Sequence, residues 1–169
     1  TAEGRAFEVI PGVSSLGAAA AALGRELTVP QIAQSVVITR LAGRTAESMP
    51  AGQTVADYTS HGATLAAFLS GARAAELQGE LLGPESAYTP ETPAVIVVRA
   101  TWPDEQTVHT TVGHLAAALD ATGARTTVLV LVGPALGNSP AARTHLYSPA
   151  FAHGRRRPSR PGTTTGRPA

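Results

Sequence analysis

A chain of 169 residues, 43% of them hydrophobic and 15% charged, is long enough for one full domain and too apolar for wholesale disorder. The lack of cysteine excludes disulfides, thiolate metal sites and a cysteine nucleophile, and because all 13 basic residues are arginine, Schiff-base and general-base lysines are excluded too. The formal charge of +1 hides an asymmetry: residues 154–169 hold five arginines and no acid, so residues 1–153 carry eight basic and twelve acidic side chains.

Residues 7–10 form the first extended segment, which breaks at Pro11-Gly12 and turns through Ser14 and Ser15 into an alanine-rich run. Proline lacks a ladder donor, glycine permits positive φ, and either serine can cap a helix over 16–23; the spacing predicts strand, tight turn and helix. Gly24 marks the helix stop, and residues 25–30 make a connector closed by Pro30. A strand is expected over 35–40, a loop over 41–50, and a short helix over 53–60 ended by His61-Gly62. Residues 63–69 read as a buried strand and 72–82 as a helix with Ala75, Leu77, Leu81 and Leu82 at its apolar positions. A proline-containing loop over 83–93 precedes the clearest buried strand, 94–99, which is β-branched and apolar on both faces. A turn at Trp102-Pro103-Asp104-Glu105 leads to an alternating strand over 106–112 and a helix over 113–121 carrying Leu115, Ala116 and Leu119 on one side. The last buried strand, 126–132, runs into Gly133-Pro134. Strands alternating with helices predict an α/β fold with a mixed, largely parallel sheet and one antiparallel hairpin around Trp102.

The tail over 154–169, built of Pro, Gly, Thr and Arg, is expected to be disordered, and nucleic acid is not expected as its partner. Apolar runs fall far short of the roughly 18 residues of a spanning helix, so no membrane partner is expected, and the absence of cysteine suits the cytoplasm.

Gly12 and Gly17 have the spacing that opens a phosphate loop, but Ala18 and Ala19 stand where lysine and Ser/Thr would be needed. His61, His109, His114, His145 and His153 form no i, i+4 pair beside a glutamate, so no metal site is expected. Leu16 occupies the place of the last glycine in a Gly-x-Ser-x-Gly elbow, which removes a serine hydrolase. Asp104-Glu105 reads either as a paired-carboxylate site or as the acids usual in a turn. Arg40 and Arg99 each end a buried strand, where open α/β sheets gather ligands; they point to an anionic ligand, or else to ion pairs with Glu91, Asp104 or Glu105.

As a set, Val9-Ile10-Pro11-Gly12-Val13-Ser14-Ser15, residues 34–40, His61-Gly62-Ala63-Thr64, Phe68-Leu69-Ser70, Arg99-Ala100-Thr101-Trp102-Pro103-Asp104-Glu105 and Val132-Gly133-Pro134 resemble the tetrapyrrole methylase family. The string over 99–105, with residues 148–154, is most similar to the branch of that family that serves cobalamin biosynthesis. The resemblance implies two α/β domains with S-adenosylmethionine held between them, and transfer of its sulfonium methyl to a ring carbon of a carboxylate-rich tetrapyrrole, without a metal or a covalent enzyme intermediate. It implies cofactor contacts at Ser14, Ser15, Leu69 and Ala100, with Gly133 and Pro134 as further candidates, and leaves Arg40 and Arg99 for the carboxylates of the substrate. The family's Gly-rich loop and Gly-Asp-Pro turn are not found before Phe7. A carboxy-terminal piece is therefore expected: residues 1–30 as the last βα unit and linker of the first domain, 31–153 as the second domain, and 154–169 as tail. A homodimer is expected of the longer protein, and a non-catalytic binding or dimerisation module is the alternative from another class.

Overall fold

In the computed structural model the described residues are 8–42, 46–68 and 70–137. Among them the chain forms α1 (Ser15–Leu23), β1 (Val36–Arg40), α2 (Val55–Thr59), β2 (Thr64–Phe68), α3 (Ala74–Leu81), β3 (Pro93–Val98), β4 (Gln106–Thr111), α4 (Leu115–Ala121) and β5 (Val128–Val132). Single 3-10 turns lie at Ala46–Ser48, Val112–His114 and Pro134–Leu136. The expected tail, residues 148–154 and Leu69 lie outside the described residues.

Local chemistry accounts for the helix ends. Ser14, in extended backbone, accepts from the Leu16 amide at 3.3 Å and starts α1, while Gly24 at φ 58° turns left-handed and ends it. Thr54 and Asp57 form a reciprocal capping box at α2, and the hydrogen bonds from Thr54 hold the Asp57 carboxyl below its ordinary value. The amide side chain of Gln78 ties α3 to α4, donating to the Gly113 carbonyl at 3.1 Å and accepting from the Ala116 amide at 2.8 Å.

The sheet has the order β1-β2-β5-β3-β4. β1 and β2 are parallel, with Arg40 beside Phe68, whereas β5 runs antiparallel to both β2 and β3, and β3 and β4 form the hairpin expected around Trp102. The expectation of a largely parallel sheet is corrected: the sheet is mixed, but only one of its four pairings is parallel. The physical reason is the return of β5 between β2 and β3, which separates two strands that point the same way.

Side-chain alternation divides the core into two layers. Leu65, Ala67, Ile96, Val98, Val128 and Val130 meet α2, α3 and α4, and Leu77, Leu81, Leu115 and Leu119 are fully buried there. Each such side chain contributes on the order of 1.5–3 kcal/mol through burial. On the opposite face Ala66, Val95, Val97, Leu129 and Leu131 receive Ala19 of α1. On α3 the buried residues are Ala74, Leu77 and Leu81; Ala75 is exposed, so the expected apolar stripe is shifted by one position at its start.

The expected first strand is also corrected for the described part of it. Residues 8–10 pair with no strand, and Val9 and Ile10 are exposed, because a strand needs a neighbour to accept its backbone hydrogen bonds and none of the five strands reaches this segment. The expected boundary at residue 30 falls within a turn closed by a bridge between Val29 and Ala33.

Candidate functional site

Strands β1, β2 and β3 point in one direction, so Arg40, Phe68 and Arg99 all stand at one edge of the sheet. On the α1 side of that edge lies a cleft of about 370 Å³ lined by Ser15, Phe68, Val97, Ala100, Trp102 and Leu129, with Gly71 and residues 125–128 along its rim. The first turn of α1 supplies Ser15, the ends of β2 and β3 supply Phe68 and Val97, and the β3–β4 loop supplies Ala100 and Trp102. The lining is mainly apolar, with Ser15, Arg125, Thr126 and Thr127 as its polar residues. Arg125 pairs with Asp120 at 2.6 Å.

The expected cofactor residues divide four ways. Ser15 and Ala100, more than 80 positions apart in sequence, are brought to the same cleft. Ser14 stands next to it, with its hydroxyl engaged as the α1 cap. Gly133 and Pro134 follow the carboxyl end of the antiparallel β5 and so lie at the opposite edge of the sheet, where Gly133, at φ 145°, passes against Ala63 and Thr64. Leu69 lies outside the described residues.

Of the two arginines, Arg99 forms an ion pair with Asp104, the alternative its position allowed. Arg40 borders a separate shallow hollow with Ile38, Met49 and Gln53. Three strand spacings separate the strands that carry the two arginines, about 14 Å. Asp104 and Glu105 belong to the turn and serve different partners: Asp104 holds Arg99, and Glu105 Oε2 accepts from the Thr101 amide at 2.5 Å. They are not a paired-carboxylate centre.

Several contributors to the cleft carry no motif. Thr127 has φ 56°; Arg99, whose amide donates to the Thr127 carbonyl, and Thr101 have φ 51° and 72°. A left-handed non-glycine residue costs on the order of 1–3 kcal/mol, and the cost is highest for a β-branched one, so three together mark a place where surrounding contacts impose the backbone. Gly71 approaches the Arg125 carbonyl so closely that a β-carbon would stand 2.8 Å from it. The small residue just after β2 was the only trace of this in the sequence. Among the described residues no group of three or more His, Asp or Glu side chains is placed to hold a metal, and no helix is long and apolar enough to cross a membrane.

A profile of the tetrapyrrole (corrin/porphyrin) methylases matches residues 1–116. The chain is 43% identical over 148 residues to a precorrin-4 C(11)-methyltransferase of Sinorhizobium sp, which covers 88% of this chain and 57% of that protein. A solved cobalt precorrin-4 methyltransferase superimposes with a TM-score of 0.73 at 40% identity, over 80% of this chain and 55% of the other. A uroporphyrin-III C-methyltransferase of Thermus thermophilus, solved with S-adenosylhomocysteine, shares the fold at a TM-score of 0.56 and 24% identity, over 80% and 56% of the two chains. The chain thus spans somewhat more than half the length of these relatives. With a matching profile over most of its length, the chain belongs to the tetrapyrrole (corrin/porphyrin) methylase family.

Proposed function

We propose that this chain carries the cofactor cleft of an S-adenosylmethionine-dependent methyltransferase that methylates C-11 of precorrin-4 in cobalamin biosynthesis, in a protein that works as a cytoplasmic homodimer. The observation that carries the reading is the convergence of Ser15, Phe68 and Ala100 on one cleft at the carboxyl edge of β2 and β3. Its size suits a small ligand, and its mixed lining of aromatic, aliphatic and hydroxyl groups fits an adenosyl group, which needs an apolar slot and a few oriented polar contacts.

When bound, S-adenosylmethionine supplies a methyl group already activated on sulfonium. The chain's own task is therefore alignment, which is worth up to about 7–11 kcal/mol when reacting atoms are held in line. Ala100 leaves room for a ligand to approach the backbone after β3, Phe68 and Val97 exclude water from the floor, and Ser15 offers a hydroxyl at the entrance. Arg40, one strand from Phe68 and on the same face, is offered to the carboxylates of the tetrapyrrole, and Arg99 borders the same edge. Uroporphyrinogen III is the rival substrate within the family; the string Trp102-Pro103-Asp104-Glu105 and the higher identity to the precorrin-4 enzymes favour precorrin-4.

Titration of the isotopically labelled chain with S-adenosylhomocysteine tests the reading. Because the chain spans 57% of the Sinorhizobium relative, the expected dissociation constant is about millimolar, or roughly −4 kcal/mol, with shifts at Ser15, Ala100 and Trp102. Ala100→Val weakens this binding more than Ser14→Ala, since overpacking costs about 1–3 kcal/mol and one neutral hydrogen bond about 0.5–1.5. Shifts confined to the Gly133 edge, or no effect of Ala100→Val, would overturn the assignment of the cleft.

A further inference from the structure

The string over 99–105 is built as a clasp. Strand β3 ends at Val98, and the backbone then takes positive φ at Arg99 and again at Thr101. Arg99 N donates to the Thr127 carbonyl at 2.9 Å, Trp102 N to the Arg99 carbonyl at 2.9 Å, and Glu105 N to the Trp102 carbonyl at 3.0 Å. Within this turn the Glu105 carboxylate reaches back to the Thr101 amide. The two residues flanking Thr101, Ala100 and Trp102, both line the cleft, and Trp102 leaves 56% of its surface open there. A β-branched residue does not favour left-handed backbone, so the carboxylate that receives its amide opposes that preference.

We propose that Glu105 is a positioning residue for the cleft: through the Thr101 amide it holds the left-handed turn that sets Ala100 and Trp102 as one wall of the ligand site. Asp104 has a separate role, closing the same turn through Arg99. The role of the wall toward a cofactor rests on the methyltransferase reading; the clasp itself does not.

Trp102 is the only tryptophan of the chain, so its fluorescence reports this wall without any ligand. The test compares Glu105→Ala, Glu105→Gln and the double variant Glu105→Ala/Thr101→Gly with the parent. In Glu105→Ala, amide exchange at Thr101 rises about tenfold or more, Trp102 emission loses anisotropy, and S-adenosylhomocysteine binds about tenfold more weakly. Protection of the Val97 and Leu131 amides, deep in the sheet, stays at the parent level. Glutamine retains an acceptor oxygen and keeps all three readouts within about threefold of the parent. Glycine at 101 adopts the left-handed turn unaided and recovers the anisotropy in the double variant. Parental exchange and anisotropy in Glu105→Ala would overturn the proposal, as would loss of protection throughout the sheet. If the ligand-free readouts behave as expected while the parent binds no S-adenosylhomocysteine, the clasp stands and the methyltransferase reading fails.

Discussion

Gly133 passes so close to Ala63 that a β-carbon on the glycine would stand 2.9 Å from the Ala63 carbonyl oxygen and 3.1 Å from Thr64 Cα. Its φ of 145° is one that L side chains rarely adopt. The start of β2 and the exit of β5 are thereby locked together. Gly133→Ala is expected to destabilise the chain by at least about 2 kcal/mol, combining overpacking with backbone strain. Gly12→Ala, where a β-carbon meets nothing within 4 Å, is expected to stay within about 0.5 kcal/mol. Urea denaturation of the two variants checks the contrast; equal midpoints would show that β5 can leave β2 at little cost.

Tyr88 holds the same Ala63 carbonyl, its buried hydroxyl donating at 2.7 Å, and burial raises its ionisation from 10.0 to about 12. A raised value means that the unfolded chain releases this proton first. The contribution is complete below pH 10 and is lost as the pH climbs from 10 toward 12. Tyr88→Phe should cost roughly 1 kcal/mol at neutral pH, because the carbonyl loses its donor. It should also remove that part of the alkaline loss of stability. Melting curves at pH 8, 10 and 11.5 decide it, and parallel curves for parent and variant would refute the assignment.

Arg40 and Arg99 should separate by kind of defect. If the proposed function holds, Arg40→Ala in the longer protein is expected to raise the KM for the tetrapyrrole about tenfold with little change in cofactor affinity, as a lost charge-assisted contact to one ligand would. Arg99→Ala breaks the pair with Asp104 in the loop that carries Ala100, so both affinities should fall. Steady-state kinetics of the proposed methyl transfer in the longer protein, with both substrates varied, reads the split. Equal losses in the Arg40 variant would assign that side chain to the fold.

Val9, Ile10 and Val13 expose 78%, 79% and 87% of their surface next to α1, and Ile38 exposes 62% on the edge strand β1. Apolar side chains grouped in this way favour self-association. The 169-residue chain is expected to elute larger than a monomer, and Ile10→Ser/Val13→Ser to shift it toward the monomer. Light scattering at several concentrations settles the mass; a monomer at all of them would defeat the expectation.

Features encoded by neighbouring residues were legible in the sequence. The serine cap of α1, which the sequence left open between Ser14 and Ser15, the Gly24 stop, the buried strand β3, which ends at Val98 rather than Arg99, and the hairpin around Trp102 each rest on side chains within a few positions of one another. Strand direction was not, since the run over 126–132 is apolar on both faces and reads the same whichever way it enters the sheet. Part of the candidate site was visible because Ser15 and Ala100 belong to recognisable motifs. Thr127, Gly71 and Arg125 reach the cleft through tertiary approach, and a threonine gives no local sign that its backbone will be left-handed. Arg40 and Arg99 were rightly placed at strand ends, but nothing in their flanking residues could choose between a ligand and Asp104.

Among the described residues the last strand is the middle strand of the sheet. During synthesis β1 and β2 can pair first, and β3 and β4 can close their hairpin locally, but each of those two ribbons then presents an open inner edge until Val128–Val132 has emerged and been threaded between them. Closing the sheet thus requires an insertion that satisfies two edges at once. A nascent chain stalled before residue 128 is the species most exposed to pairing with another copy of itself.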